Sequence, residues 1–368
     1  MRWRTVLTWG PRIALVVVLV AANVSLVAAM SSSAMPYSVY NDEWDGATDL
    51  RDQLADAGID TSIVIDTRAY ETVPANGTVA FVLDPISAYD RADIARLNRF
   101  LANGGTLIVA AENGTQANSL LESVGADARI DRRVVRDGQS NYRSSALPLA
   151  VPAPIGNGST TDAIAELLRS VDDIETVTLN YGATVDPGEA TPLLYTRSTA
   201  YVDANDNGTL DDGESLGRRP VGTVESVGSG TVIVAGDPSI FTNAMLEREG
   251  NRAFLAALVE DHRRAIVDYS HGRSIPPLPF ALITLRGSPL LQLVVGVIAF
   301  GGLALWYWGP TLSIPRPWHT DRESASVVLS EGDLRSFLRD RHPDWDDEEI
   351  TRVTKAIIRR RRKAGSND

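Results

Sequence analysis

Cysteine is absent from the 368 residues, and lysine nearly so, occurring at Lys355 and Lys363 alone. The first absence excludes disulfides, thiolate nucleophiles and zinc-thiolate centres together. The second leaves arginine to carry almost all positive charge. With a net charge of −12 there is no broad basic face for a phosphate backbone, so nucleic acid is not an expected partner. Histidine is scarce as well, and only His262 and His271 fall in the central part of the chain. No G-x-S-x-G, H-E-x-x-H or phosphate-loop pattern occurs.

Two long apolar runs are present. Residues 13–29 hold only Asn23 and Ser25 as polar members, and residues 290–308 hold only Gln292 among aliphatic, aromatic and glycine residues. Both reach the length of a membrane span, and Trp306, Tyr307 and Trp308 resemble an interfacial aromatic belt. Val27, Ala28 and Ala29 do not form the small-x-small pattern of a signal-peptide cleavage site, so a retained anchor is expected. Arg2, Arg4 and Arg12 precede the first run, and a basic stretch, residues 359–363, closes the tail. Both termini are therefore expected in the cytoplasm. Residues 13–308 carry 20 Arg against 36 Asp plus Glu, which places the acidity outside the cell. Such a surface, acidic and poor in lysine, matches adaptation to concentrated salt and a haloarchaeal origin.

The expected organisation is a cytoplasmic N-terminus (1–12), a span (13–30), an extracellular α/β domain (31–274), a membrane-proximal segment (275–289), a second span (290–308) and a cytoplasmic helical tail (309–368). Within the domain, strands are expected at 37–40, 61–65, 79–83 and 106–111, with helices at 47–57, 90–102 and 116–123. Such alternation predicts a mostly parallel sheet flanked by helices. Residues 151–159 read as loop, 162–171 as helix, and 177–179, 193–202, 221–227, 230–235 and 265–269 as strands. Helices are expected over 239–246 and 251–262. Pro276, Pro277 and Pro279 argue against a regular helix at the start of 275–285. Ser330 and Asp333 announce a capping box in the tail. A second tail helix runs from acidic (346–349) to basic (359–363), which matches its dipole and would also suit anionic lipid head groups.

Three groups could carry chemistry. Glu112 ends the buried strand of Gly104–Gly114, at the sheet edge where α/β folds hold ligands. A carboxylate there acts as a general base if neighbours raise its pKa, and otherwise stabilises the start of the following helix; the latter is preferred because no partner is identifiable. Asp237 sits at a second strand end, with Asn243 and Asn251 after it, residues that commonly tie loops to helices. Asp268 and His271 supply two ligand types but not a metal site. The most specific pattern is Asp203-Ala-Asn205-Asp-Asn207-Gly208-Thr209-Leu-Asp211-Asp-Gly-Glu214. It meets a twelve-residue Ca2+ loop at every specified position: Asp203, Asn205, Asn207 and Asp211 as oxygen donors, Thr209 through its carbonyl, and Glu214 as a bidentate closer. An acidic Asn-Gly turn in a salt-adapted chain explains the same composition. Asn76, Asn113 and Asn157 head glycosylation sequons.

These pieces taken together, with strand ends at Leu83-Asp84-Pro85, Ala111-Glu112-Asn113-Gly114 and Gly236-Asp237, and with Asp268-x-x-His271-Gly272 ahead of an apolar run, resemble the domain-of-unknown-function family 4350. The resemblance implies a class I glutamine amidotransferase-like, flavodoxin-like three-layer fold in which Glu112 occupies the elbow where active relatives carry cysteine. It also implies a non-catalytic role as a ligand- or partner-binding part of an envelope assembly linked to MoxR-type ATPases. The alternative is a hydrolase-like enzyme using Glu112, with Asp237, on a sugar or amide. Expected partners are membrane lipid and envelope proteins.

Overall fold

The structure, a computed structural model, describes residues 3–112, 114–154, 161–272, 275–308 and 330–364. Two compact units divide the chain, Met1–Val294 and Val295–Asp368. The elements in order are α1 (Trp3–Ser31), α2 (Thr48–Asp56), β1 (Asp60–Val64), β2 (Thr78–Leu83), α3 (Arg91–Ala102), β3 (Thr106–Ala110), α4 (Gly114–Val124), β4 (Arg129–Asp137), β5 (Leu149–Pro152), α5 (Asp162–Asp172), β6 (Val177–Thr178), β7 (Ala183–Asp186), β8 (Thr191–Thr196), β9 (Ala200–Asp203), β10 (Pro220–Val227), β11 (Gly230–Ala235), α6 (Asn243–Leu246), α7 (Glu249–Val259), β12 (Arg264–Asp268), α8 (Pro277–Arg286), α9 (Pro289–Trp308), α10 (Glu331–Arg341) and α11 (Asp347–Ala364).

Nine strands form one sheet in the order β1-β12-β2-β3-β11-β10-β8-β5-β6. The first five are parallel to one another; from β11 onward every pairing is antiparallel. The sheet is thus mixed, half parallel and half antiparallel, where a mostly parallel one was expected. A separate antiparallel sheet, β7-β4-β9, completes the described strands. The reason for the difference is local. The segment expected as one strand over 193–202 breaks at a turn after Thr196, where Ala200 N–H donates to the Arg197 carbonyl. Its two halves, β8 and β9, then enter different sheets.

Alternation along the central strands separates two cores. Val79, Phe81, Ile108, Ile233 and Val267 face one side with Leu50, Leu54, Phe254 and Leu258. Ala80, Val82, Leu107, Val109, Val232 and Ile266 face the other with Leu97, Phe100, Leu120 and Leu121. All of β3 is buried, as a parallel strand covered on both faces must be. Helix α3 starts at a full capping box, Asp90 with Asp93, and presents Leu97, Phe100 and Leu101 inward at helical spacing.

Several local expectations are corrected. Residues 37–40 form turns rather than a strand: Tyr37 has φ 61°, and the Tyr269 hydroxyl ties the turn by donating to Tyr37 O and accepting from Val39 N–H. Residues 149–152, read partly as loop, pair with β6 and β8. Strands β4 and β7 went unread because β4, RIDRRVVRD, has no apolar alternation. Helix α8 does begin at Pro277, because proline at the first helical positions removes only N–H groups that lack an intrahelical partner.

Among the described residues no single helix is long and apolar enough to cross a membrane. α8 and the first part of α9 (Pro289–Leu305) meet that test only together, bent by 107°, and Val17–Ser31 is a shorter apolar stretch. In the second unit, Ser330 and Asp333 form the expected capping box, and Leu338 and Ile350 are buried where α10 and α11 pack.

Gly236 joins the two sheets. Its carbonyl accepts from Ala183 N–H at 2.7 Å and its N–H donates to Val221 O at 3.0 Å, and a Cβ at this position would overlap the Ala183 carbonyl. Gly236→Ala is expected to lower unfolding free energy by about 2 kcal/mol, since overpacking against backbone has no flexible neighbour to absorb it; chemical denaturation of the variant and the parent measures this.

Candidate functional site

The carboxyl ends of four adjacent parallel strands each deliver an acid: Asp84 after β2, Glu112 after β3, Asp237 after β11, and Asp268 closing β12. This edge is where α/β sheets hold ligands.

Glu112 is exposed, and its Oε1 accepts from the Tyr37 hydroxyl at 2.6 Å. Burial, then that hydrogen bond and the charges of Glu112, Asp237 and Asp84, push the Tyr37 pKa far up, so it remains a protonated donor. Glu112 opens on a crevice of about 370 Å³ lined by Arg132, Arg133, Tyr181, Ala183 and Asp206 among others. The two arginines reach it because β4 loses register with β7 between Ile130 and Val134. An irregularity of this kind re-aims side chains that a regular ladder would hold on alternate faces. Arg136, two residues beyond that break, donates to Asp203 at 2.5 Å and Asp206 at 3.2 Å, and its guanidinium lies 5.5 Å from the Tyr181 ring centre.

Asp237 is buried and fully engaged. Oδ1 accepts from the N–H and hydroxyl of Ser239, and Oδ2 accepts from Asn180 N–H at 2.6 Å. Burial, reinforced by the Glu112 charge, pushes its pKa up to about 7 against the opposing hydrogen bonds. It holds the turn after β11 to the segment before β7, a tying role. Asn243 and Asn251 do the same: Asn243 bonds Asp49 N–H and the carbonyls of Asn41 and Glu43, and Asn251 makes both backbone bonds to Thr178.

Asp268 and His271 are each engaged by other partners. Asp268 accepts from the Tyr70 hydroxyl at 2.8 Å and Ser270 N–H at 2.7 Å, and burial raises its pKa. His271 faces Asp93 through Nε2 at 3.2 Å, meets the Ser270 hydroxyl through Nδ1, and stacks on Tyr89. A larger groove, about 580 Å³, opens at the opposite edge, where Thr106, Thr231 and His262 lie. His262 is bonded there to Thr106 and its pKa is lowered by burial, so the ring is neutral at pH 7.

Hydrogen bonds close the 203–214 loop on itself. Asp203 accepts from Asn207 and Gly208 N–H, Asp211 accepts from the amides of Asn205 and Asn207, Thr209 bonds Asn207, and Glu214 reaches back to Ala204 N–H. The side-chain oxygens of Asp203, Asn205, Asn207, Asp211 and Glu214 thus accept from donors within the loop. Arg136 shares Asp203, however, and among the described residues no three His, Asp or Glu side chains already converge on one point. Of the sequons, Asn76 lies in an exposed turn, while Asn113 and Asn157 are outside the described residues.

One feature of this edge has no counterpart in composition. Among the described residues, the non-glycine residues with φ in the left-handed region are Tyr37, Asp84, Arg143, Tyr181 and Asp206. All but Arg143 belong to the Glu112 neighbourhood: Tyr181 and Asp206 line its crevice, Tyr37 bonds Glu112, and the Asp84 charge acts on Tyr37. Each such residue costs about 1–2 kcal/mol, and strain of this sort gathers at functional sites. Tyr37, Tyr181, Arg132, Arg133 and Arg136 were not singled out by sequence; the four arginines of β4 (Arg129, Arg132, Arg133, Arg136) in an acidic chain were the available signal.

Residues 39–259 match the family described as Domain of unknown function (DUF4350). The chain belongs to that family. No curated protein matches it. Among solved structures, the mmIFT52 N-terminal domain is 18% identical over 54% of this chain and 80% of its own, with a TM-score of 0.37. A cytoplasmic protein from Salmonella typhimurium LT2 is 12% identical over 59% and 87%, also at 0.37. The β-galactosidase of the Antarctic haloarchaeon Halorubrum lacusprofundi is 15% identical over 51% of this chain and 22% of its own, at 0.29. At these scores none of the three likenesses informs the function of this DUF4350 chain.

Asp237 makes the stability of the DUF4350 domain pH-dependent in an unusual sense. Its folded pKa, about 7, lies above the ordinary 3.8, so the folded state binds the proton more tightly. The resulting stabilisation is full below the ordinary value and is lost as pH rises toward 7. In Asp237→Asn that contribution disappears. The difference in unfolding free energy between parent and variant is expected to fall by up to about 1.4 kcal/mol per pH unit over this window and to level off above it, as read by denaturation across pH.

Proposed function

We propose that this DUF4350 chain is a membrane-anchored, non-catalytic amidotransferase-like protein whose outer domain binds a ligand or partner within a cell-envelope assembly associated with MoxR-type ATPases. In this reading α1 and the α8–α9 pair hold the protein in the membrane, the α/β domain lies outside, both termini lie in the cytoplasm, and the acidic, arginine-based surface reflects a haloarchaeal setting. The observation that carries the binding reading is the strained crevice. Four left-handed non-glycine residues surround Glu112, and the buried acid beside it, Asp237, is consumed by structural hydrogen bonds. A site of that kind is preorganised for contact and offers no thiolate, because the elbow position is Glu112 and the chain has no cysteine.

Glu112→Gln decides between this reading and hydrolysis of a sugar or amide. The variant is expected to co-purify from native membranes with the same proteins as the parent. Glu112-dependent release of reducing ends or ammonia would instead establish an enzyme.

The 203–214 loop is proposed to take Ca2+ as a structural ion through Asp203, Asn205, Asn207, Asp211, Glu214 and the Thr209 carbonyl. The full chain is then expected to melt a few degrees higher with calcium than with chelator, and Glu214→Gln is expected to lose the difference. Equal midpoints in the parent would remove calcium from the account.

A further inference from the structure

The Glu112 crevice combines three kinds of group whose joint demand is narrow. Arg132 contributes a guanidinium with no ion-pair partner among the described residues, unlike Arg133, which is held by Asp131, and Arg136, which is held by Asp203 and Asp206. A guanidinium left open in a crevice asks for a planar anion, and Arg presents two parallel N–H groups to a carboxylate. Glu112 already accepts from Tyr37, and its remaining lone pairs can only receive donors, so the ligand must bring hydroxyl or N–H groups close to its own negative charge. The Glu112 charge also disfavours a dianionic phosphate more than a singly charged carboxylate. Tyr181 is the third group. It is 52% exposed, its backbone is in the left-handed region at φ 56°, and Arg136 lies over its ring. A rigid aromatic ring displayed at the mouth of a crevice, with its backbone strained to keep it there, is a platform for a flat ligand face.

We propose that this crevice binds an acidic sugar: a hexuronic acid unit of a glycan, its carboxylate on Arg132, its hydroxyls on Glu112, and its ring laid against Tyr181. This names the ligand class for the binding reading above and rests on it. The volume, about 370 Å³, lies within the range of small-molecule sites.

The full chain in detergent micelles, titrated calorimetrically with tetragalacturonate, maltotetraose, inorganic phosphate and a tetraglutamate peptide, tests this. Tetragalacturonate is expected to bind at least tenfold more tightly than each of the other three. Arg132→Gln is expected to reduce its affinity to that of maltotetraose. Tyr181→Gly is expected to weaken it at least tenfold while leaving the unfolding midpoint unchanged or raised, because glycine adopts the left-handed backbone without strain. That midpoint separates lost contact from lost folding. Glu112→Gln is expected to weaken tetragalacturonate binding severalfold, since a neutral amide oxygen accepts a hydroxyl less strongly than a carboxylate does. Equal binding of maltotetraose would overturn the role of the carboxylate, and equal binding of the peptide or phosphate would overturn the sugar. Insensitivity to both Arg132→Gln and Tyr181→Gly would overturn the site. New reducing ends formed from tetragalacturonate in a Glu112-dependent way would refute the non-catalytic reading and leave the ligand class standing. Absence of tetragalacturonate binding with unchanged co-purification would refute the ligand class alone.

Discussion

The buried carboxyl of Asp237 stands where the parallel half of the large sheet gives way to the antiparallel half, and the arrangement of the strand-end edge depends on it. A buried acid without partners would be strongly unfavourable. Here Asn180 N–H, Ser239 N–H and the Ser239 hydroxyl fill its acceptor positions, so the same bonds that make the carboxyl tolerable also fix the entry to β7 against the exit of β11. Gly236, one residue earlier, brings the two backbones into direct hydrogen bonding. Strand β7 then sets β4, and β4 carries the arginines to the crevice. One desolvated acid thereby decides which positive charges face Glu112.

The crevice contrasts with the interior behind it. The two cores are filled by aliphatic and aromatic side chains at strand alternation. At the carboxyl ends of the strands the backbone leaves that regularity, and Tyr37, Asp84, Tyr181 and Asp206 take left-handed conformations that none of the core residues needs. The fold tolerates this because each strained residue is fixed from elsewhere: Tyr181 N–H donates to Ala146 O, Asp84 N–H donates to Ala110 O, Asp206 is paired with Arg136, and the Tyr37 carbonyl accepts from Tyr269. The calcium-type loop is part of the same assembly, since Arg136 joins Asp203 and Asp206 to the Tyr181 ring. Any change in the charge held by that loop is felt at the crevice wall.

The parallel half of the sheet was legible in sequence because its strands are continuous apolar runs punctuated by glycine and capped helices; β2, α3, β3 and α4 fall within a few residues of their expected positions. The antiparallel strands of the two sheets were only partly legible. Strand β4 hides four arginines and two aspartates in nine residues, β5 includes a proline, and β8 and β9 read as one segment until the Arg197 turn divides them. Glu112 and Asp237 were identifiable from their place after buried strands. Their partners were not, because Tyr37, Asn180, Tyr181 and Arg132 are brought to them by long-range register and by backbone conformations that residue type does not announce.

The bonds around Glu112 also reach the segments that lead into and out of the domain. Glu112 accepts from the Tyr37 hydroxyl, the Tyr37 carbonyl accepts from the Tyr269 hydroxyl, and the same hydroxyl accepts from Val39 N–H. Tyr37 follows α1 by a short connection, Tyr269 precedes α8, and α1 packs on α8. Three consecutive hydrogen bonds therefore connect the crevice to both segments proposed as anchors. The strained backbone of Tyr37 is thus held between the crevice and those connections, by the Glu112 bond on one side and the Tyr269 bond on the other.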